Sequence, residues 1–140
     1  MIGQQVSNVA KTYVGTPFHH LGRVKKVGID CVGIILGVAE ELNIPLVIHP
    51  DFKRYGRKAK QRPLLDYMDE QFIWVGSREV GSIAVSWYDR VTKEPSHLGI
   101  VTEIGMVHTN GHLGITIEEH WSPKWTTRIV GYYKYPGVEC

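Results

Sequence analysis

Apolar positions follow two different rhythms along the chain. In the first half they recur at helical spacing. Val6, Val9, Ala10 and Tyr13 predict a short helix over Ile2–Tyr13, closed by Gly15-Thr16-Pro17. Cys31–Leu42 (CVGIILGVAEEL) is apolar almost all round at its start, which predicts a buried central helix. Asp30 is placed to cap that helix by accepting its first-turn amides, and Asn43 and Pro45 stop it. Leu64, Leu65, Met68 and Phe72 share one face of a third short helix over Pro63–Phe72. Between these elements, Phe18–Ile29 reads as a loop and Pro45–Arg62 as irregular chain.

From residue 73 onward the rhythm shortens. Ile73–Val75, Ser82–Trp87, His97–Thr102, Met106–Thr109, Leu113–Glu118 and Ile129–Tyr135 are short runs rich in Val, Ile, Tyr and Trp. Turn signals at Gly76, Gly81, Gly105 and Asn110-Gly111 separate several of them. Helices followed by a mostly antiparallel sheet of five to six strands predict an α+β fold. Trp74, Trp87, Trp121 and Trp125 read most simply as sheet and core aromatics, with Trp121 and Trp125 also able to frame a groove.

Composition narrows the class. The chain has 140 residues, 43% hydrophobic and 21% charged, which suits one folded domain over Met1–Cys140 and excludes a disordered chain. A chain of this size buries about two thirds of its surface and needs no covalent staple. Cys31 and Cys140 allow at most one disulfide, and we expect them to be unpaired with each other. No apolar run approaches the ~20 residues of a membrane span. Met1–Tyr13 lacks the charged and apolar regions of a secretory signal. The expected location is therefore the cytoplasm where the chain is made, or a destination reached without a signal.

The net charge of +2 argues against a nucleic-acid partner. It is also unevenly spread. Lys53, Arg54, Arg57, Lys58, Lys60 and Arg62 lie within ten residues that contain no acid, and without them 10 basic face 14 acidic groups. This stretch is either a solvated loop or a docking surface for an anionic polymer or acidic partner, with Tyr55 as an added ring.

Cys31 stands at the start of the predicted central helix. There the positive end of the helix dipole and the unpaired first-turn amides lower a thiol pKa and can hold an oxyanion. A buried structural cysteine is the alternative. Gly28 would allow the turn that presents the thiol, and Gly33 would let the helix approach the sheet. A thiol nucleophile needs a base, and His19, His20, His49, His97, His108, His112 and His120 are available. His97 opens an apolar strand. His108 follows eleven residues later on the next predicted strand, within reach of the His97 ring if the two strands pair.

Three segments together resemble the NlpC-type cell-wall cysteine peptidases. They are Gly28-Ile29-Asp30-Cys31-Val32-Gly33 before an apolar helix, His97-Leu98-Gly99-Ile100-Val101, and Met106-Val107-His108-Thr109. Tyr13-Val14-Gly15-Thr16-Pro17-Phe18-His19-His20 and Trp125–Gly137 are similar to the branch found in phage and gene-transfer-agent tails. The resemblance implies a papain-like fold and cleavage of peptidoglycan stem peptides, often after γ-D-glutamyl beside a diamino acid. It implies Cys31 as nucleophile, His97 as base and His108 as orienter. It also implies Tyr13 beside the oxyanion, Asp30 near a substrate amine, and His19 and His20 along the groove. Further partners would be other tail proteins, and the location a virion tail acting in the periplasm or cell wall. Val32 stands where many relatives have Ser, and Gly81-Ser82 where a Gly-Asp pair is common.

No cofactor is required by this chemistry, and no metal site is expected. His108, His112 and His120 with Glu118 and Glu119 are the nearest approach to one. The HExxH motif is absent, and Asn110-Gly111 makes that stretch a hairpin. Two other readings use the same fold: a structural tail component with little activity, and an acyltransferase or amidase sharing the acyl-enzyme.

Overall fold

A computed structural model describes residues 1–46 and 63–139. The basic stretch from Lys53 to Arg62, with Tyr55, and Cys140 lie outside the described residues. The elements are α1 (Gly3–Lys11), β1 (Arg23–Val24), β2 (Gly28–Ile29), α2 (Cys31–Glu41), α3 (Pro63–Gln71), β3 (Ile73–Val75), β4 (Ile83–Trp87), β5 (Pro95–Val101), β6 (Gly105–His108), β7 (Ile117–His120), α4 (Pro123–Thr126) and β8 (Ile129–Lys134). The six strands β3 to β8 form one sheet in the order β3-β8-β4-β5-β6-β7, antiparallel throughout. The architecture is α+β, as the order of helical and alternating patterns predicts. Among the described residues no helix is long and apolar enough to cross a membrane.

The central helix α2 explains the packing. Ile34, Ile35 and Val38 share one core with Leu98 and Ile100 of β5, Ile83 and Val85 of β4, Leu64 and Met68 of α3, and Tyr133 of β8. Each fully buried aliphatic side chain contributes about 1.5–3 kcal/mol. The phenol of Tyr135 enters the same core, and its hydroxyl donates to the Ile35 carbonyl at 2.6 Å. Burial pushes that phenol's pKa well up. On the outside, Glu103 in the β5–β6 turn gathers Lys11, Gln4 and Ser7 of α1.

Four features differ from the sequence expectation. The strand expected at Leu113–Glu118 runs instead over Ile117–His120, because Leu113 is used in a turn. Asn110 Oδ1 accepts the N–H groups of His112 and Leu113 at 2.8 and 2.9 Å. The stretch expected as a loop contains the two-stranded β1–β2 ribbon, and Pro123–Thr126 forms the extra helix α4. Trp74 is no core residue: it is 55% exposed on the edge strand β3, edge-on to Tyr133.

Candidate active site

Cys31 is the first residue of α2 and is buried. Asp30 precedes it in extended conformation, as an N-cap must. Its carboxylate accepts the Gly33 N–H at 2.8 Å, the Leu21 N–H at 3.0 Å and Arg23 Nη1 at 2.7 Å. Asp30 is 2% exposed and committed to these three protein donors, which leaves little of it for a substrate amine. Gly33 is required by close approach, though to the preceding loop rather than the sheet. A Cβ there would lie 2.5 Å from both the Gly22 carbonyl oxygen and the Ile29 side chain.

The sheet register brings the histidines together. Ile100 pairs with Val107 and Val101 with Met106, so one step further places Gly99 across from His108. His97 is two residues from Gly99 and therefore on the same face. Gly99 has no side chain, and a Cβ there would stand 3.3 Å from His108 Cβ. His108 can thus lean diagonally across Gly99, and His97 Nε2 meets His108 Nδ1 at 2.8 Å. The same diagonal repeats on the next strand. Met106 pairs with Glu119, and His108 Nε2 meets Glu119 Oε1 at 2.8 Å. A chain His97–His108–Glu119 crosses β5, β6 and β7, each step eleven residues long.

Charge fixes the protons in this chain. The Glu119 carboxylate only accepts, so His108 carries its proton on Nε2 and donates it there. His108 Nδ1 is then a lone pair and accepts from His97 Nε2–H. The lone pair of neutral His97 is left on Nδ1. Burial and the neighbouring His108 hold the His97 pKa well below 6.5. Burial lowers His108 as well, opposed by Glu119. Burial thus disfavours charge on both rings, and the lone pair on His97 Nδ1 is able to accept a proton.

Aromatic rings hold the imidazole in place. Tyr88 packs on His97 with ring centres 4.7 Å apart, and Trp125 packs on His97 at 5.4 Å and on His108 at 4.9 Å. Tyr88 in turn accepts a hydrogen bond from Asn110 Nδ2. Its pKa is raised by burial and by the negative charge Cys31 carries when ionised. The sequence reading names Trp125 only as able to frame a groove and Glu119 only in the rejected metal cluster, and it does not name Tyr88 or Asn110 as members of the site. The repeated spacing of eleven was the available signal for Glu119.

Tyr13 is not brought to the thiol. Its hydroxyl donates to Glu41 at the far end of α2 and lies against Gly37, with Lys25 over its ring. At 1.5 Å rise per residue, Gly37 is about 9 Å along the helix from Cys31. The phenol is buried, and its pKa is raised by that burial and by Glu41. This corrects the expectation of an oxyanion donor. The residue paired alongside Ile29 is Phe18, which carries no hydroxyl. His19 and His20 are exposed, on the loop whose backbone runs beside Ile29.

The fold is that of the NlpC/P60 proteins, papain-like and α+β. Three solved structures illustrate the match. NlpC2 from Trichomonas vaginalis superposes with a TM-score of 0.69 at 14% identity, over 95% of this chain and 46% of its own. An NlpC/P60 family protein from Bacillus cereus gives 0.70 at 14% identity, over 96% of this chain and 40% of its own. The NlpC/p60 domain of the peptidoglycan hydrolase SagA gives 0.56 at 17% identity, over 86% of this chain and 90% of its own. The chain spans less than half the length of the first two. No protein-family model and no curated protein sequence matches it.

Proposed function

We propose that the protein is a cysteine peptidase that cuts the peptide stems of peptidoglycan. The observation that carries this reading is the buried His97–His108–Glu119 chain on the strands against which α2, with Cys31 as its first residue, is packed. His97 Nδ1 takes the thiol proton, and the sulfur attacks a stem-peptide carbonyl. The Cys31 backbone N–H, with the positive helix end behind it, faces the oxyanion. The imidazolium returns its proton to the leaving amine, and a thioester to Cys31 remains. Water, deprotonated by the same nitrogen, then releases the acid and restores the thiol.

The bond we assign is that between γ-D-glutamyl and a diamino acid, on the resemblance of the three motifs. Delivery with a phage or gene-transfer-agent tail is supported by the similarity of Tyr13–His20 and Trp125–Gly137 to that branch. The test is digestion of purified peptidoglycan with mass analysis of the fragments. Wild type should release stem fragments with new amine and carboxyl ends, and Cys31→Ala should release none. Equal release by both would overturn the cysteine mechanism, and release by neither would leave a structural component with this fold.

A further inference from the structure

Trp125, the indole that walls the two imidazoles, also touches two cations of a second, charged space. A cavity of about 460 Å³ is lined by Trp87, Arg90, Lys93, Lys124, Thr127 and Arg128. Four of these six are cations and none is an acid. None of the four forms an ion pair with another of the described residues. Three of them are held by aromatic faces. Arg128 lies 5.4 Å over Trp87 and 5.7 Å over Trp125, Lys93 5.8 Å over Trp87, and Lys124 5.3 Å over Trp125.

The backbone here is shaped to gather them. β4 loses register against β8 at Val85/Ser86 and against β5 at Ser86/Trp87, and such bulges re-aim side chains. Lys93 adopts φ +51°, in a turn closed by its N–H to the Asp89 carbonyl at 2.8 Å. A lysine in that left-handed region is uncommon. Two acids adjoin these cations in sequence: Asp89 turns its carboxylate to the Val91 N–H at 2.8 Å, and Glu94, which follows Lys93, makes no ion pair with another of the described residues. Uncompensated like charges around one concavity cost repulsion in the empty protein and concentrate anions.

We infer that this cavity binds carboxylate groups of the substrate peptide, within about three residues of the bond that is cut. The inference rests on the peptidase reading above. The distance follows from the rings: Trp125 is 5.4 Å from His97, and Lys124 and Arg128 are 5.3 and 5.7 Å from Trp125, so both cations lie within about 11 Å of the His97 ring. Extended peptide covers that span in about three residues. Guanidinium forks match carboxylates in two-point contact. A γ-linked glutamyl residue keeps its α-carboxylate, so a stem peptide supplies such a group close to the scissile bond.

The test uses Cys31→Ala protein, which binds without turnover, and the exposed pair Arg90→Gln/Lys93→Gln added to it. The probes are a stem tripeptide with free carboxylates, its amidated counterpart, and inorganic phosphate, each titrated while the Trp87 indole N–H is followed by NMR. The acid peptide should shift that signal and bind at least tenfold more weakly to the double variant, while the amide binds both proteins alike. Equal binding of acid and amide, unchanged by the double variant, would overturn the inference. Phosphate shifting the Trp87 signal at the same concentration as the acid peptide would overturn the assignment to substrate. The peptidase reading is judged separately by cleavage with wild type. Intact cleavage without acid-selective binding removes the cavity alone, and acid-selective binding without cleavage removes the peptidase reading alone.

Discussion

His108 Nε2 lies 2.8 Å from Glu119 Oε1, and this contact decides which nitrogen of His97 is basic. A carboxylate can only accept, so the protons of both rings are pushed one way along the chain. Glutamine at 119 would remove that bias, since its amide accepts or donates equally well. The reversed chain puts a proton on His97 Nδ1 and leaves no base for the thiol. In metal sites, removing the group that orients a histidine costs ten- to a hundredfold. We expect Glu119→Gln to lower kcat by about that much with KM unchanged. Nitrogen-15 shifts of His108 should change from a single Nε2–H tautomer to a mixture. A variant with full kcat would remove Glu119 from the machinery.

Tyr13 offers a contrasting case. If its hydroxyl held the oxyanion, Tyr13→Phe would lose about 10²–10³ in rate. The structure spends that hydroxyl on Glu41 instead. The expected outcome is an unchanged kcat and a loss of about 1 kcal/mol of stability, the usual size of one hydrogen bond. Steady-state kinetics beside urea unfolding would tell the two apart, and a hundredfold rate loss would return Tyr13 to the site.

These two residues show where sequence reading succeeds and where it stops. The α2 helix and its Asp30 cap follow from local signals and appear nearly to the residue, and the helices-then-sheet order follows from local periodicity in outline. His108 was reachable because hairpin geometry is local. Glu119 was missed because a strand placed at Leu113–Glu118 stops one residue short of it. The true strand starts later, since Asn110 ties up Leu113. Tyr13 was misplaced for another reason: its role came from the resemblance alone, and only the packing just past the end of α1 sets its hydroxyl on Glu41. α4 has one turn, too short for any periodic signal, yet it carries Trp125 into the wall of the site.

Stability should fall on mild acidification. His97 and His108 both have folded pKa values below 6.5, the ordinary value of an unfolded chain. Between those values the unfolded state binds more protons, so stability is fully present above about 6.5 and is lost as pH drops toward the folded values. Each histidine contributes a slope of at most about 1.4 kcal/mol per pH unit. Urea unfolding at pH 7 and pH 5.5 should show the loss, and His97→Gln should shrink it. The same slope in both proteins would mean that His97 is hydrated and titrates normally.

Gly99 tests the diagonal itself. An added Cβ would lie 2.6 Å from Met106 Sδ and 3.3 Å from His108 Cβ. The thioether is the flexible end of its side chain and can swing away, so the stability cost of Gly99→Ala should stay in the 1–3 kcal/mol range of overpacking. His108 Cβ is fixed by its strand and can yield only by moving the ring. A displacement of about 1 Å at a reacting group can cost a hundredfold in rate, so a few tenths of an ångström should cost about tenfold. The two effects can be separated. Adding Met106→Ala should relieve the crowding at sulfur and recover part of the stability lost through Gly99→Ala, while kcat stays low. Recovery of kcat along with stability would show that Gly99 serves packing alone. Persistent loss would show that the missing side chain at 99 is what lets His108 reach His97.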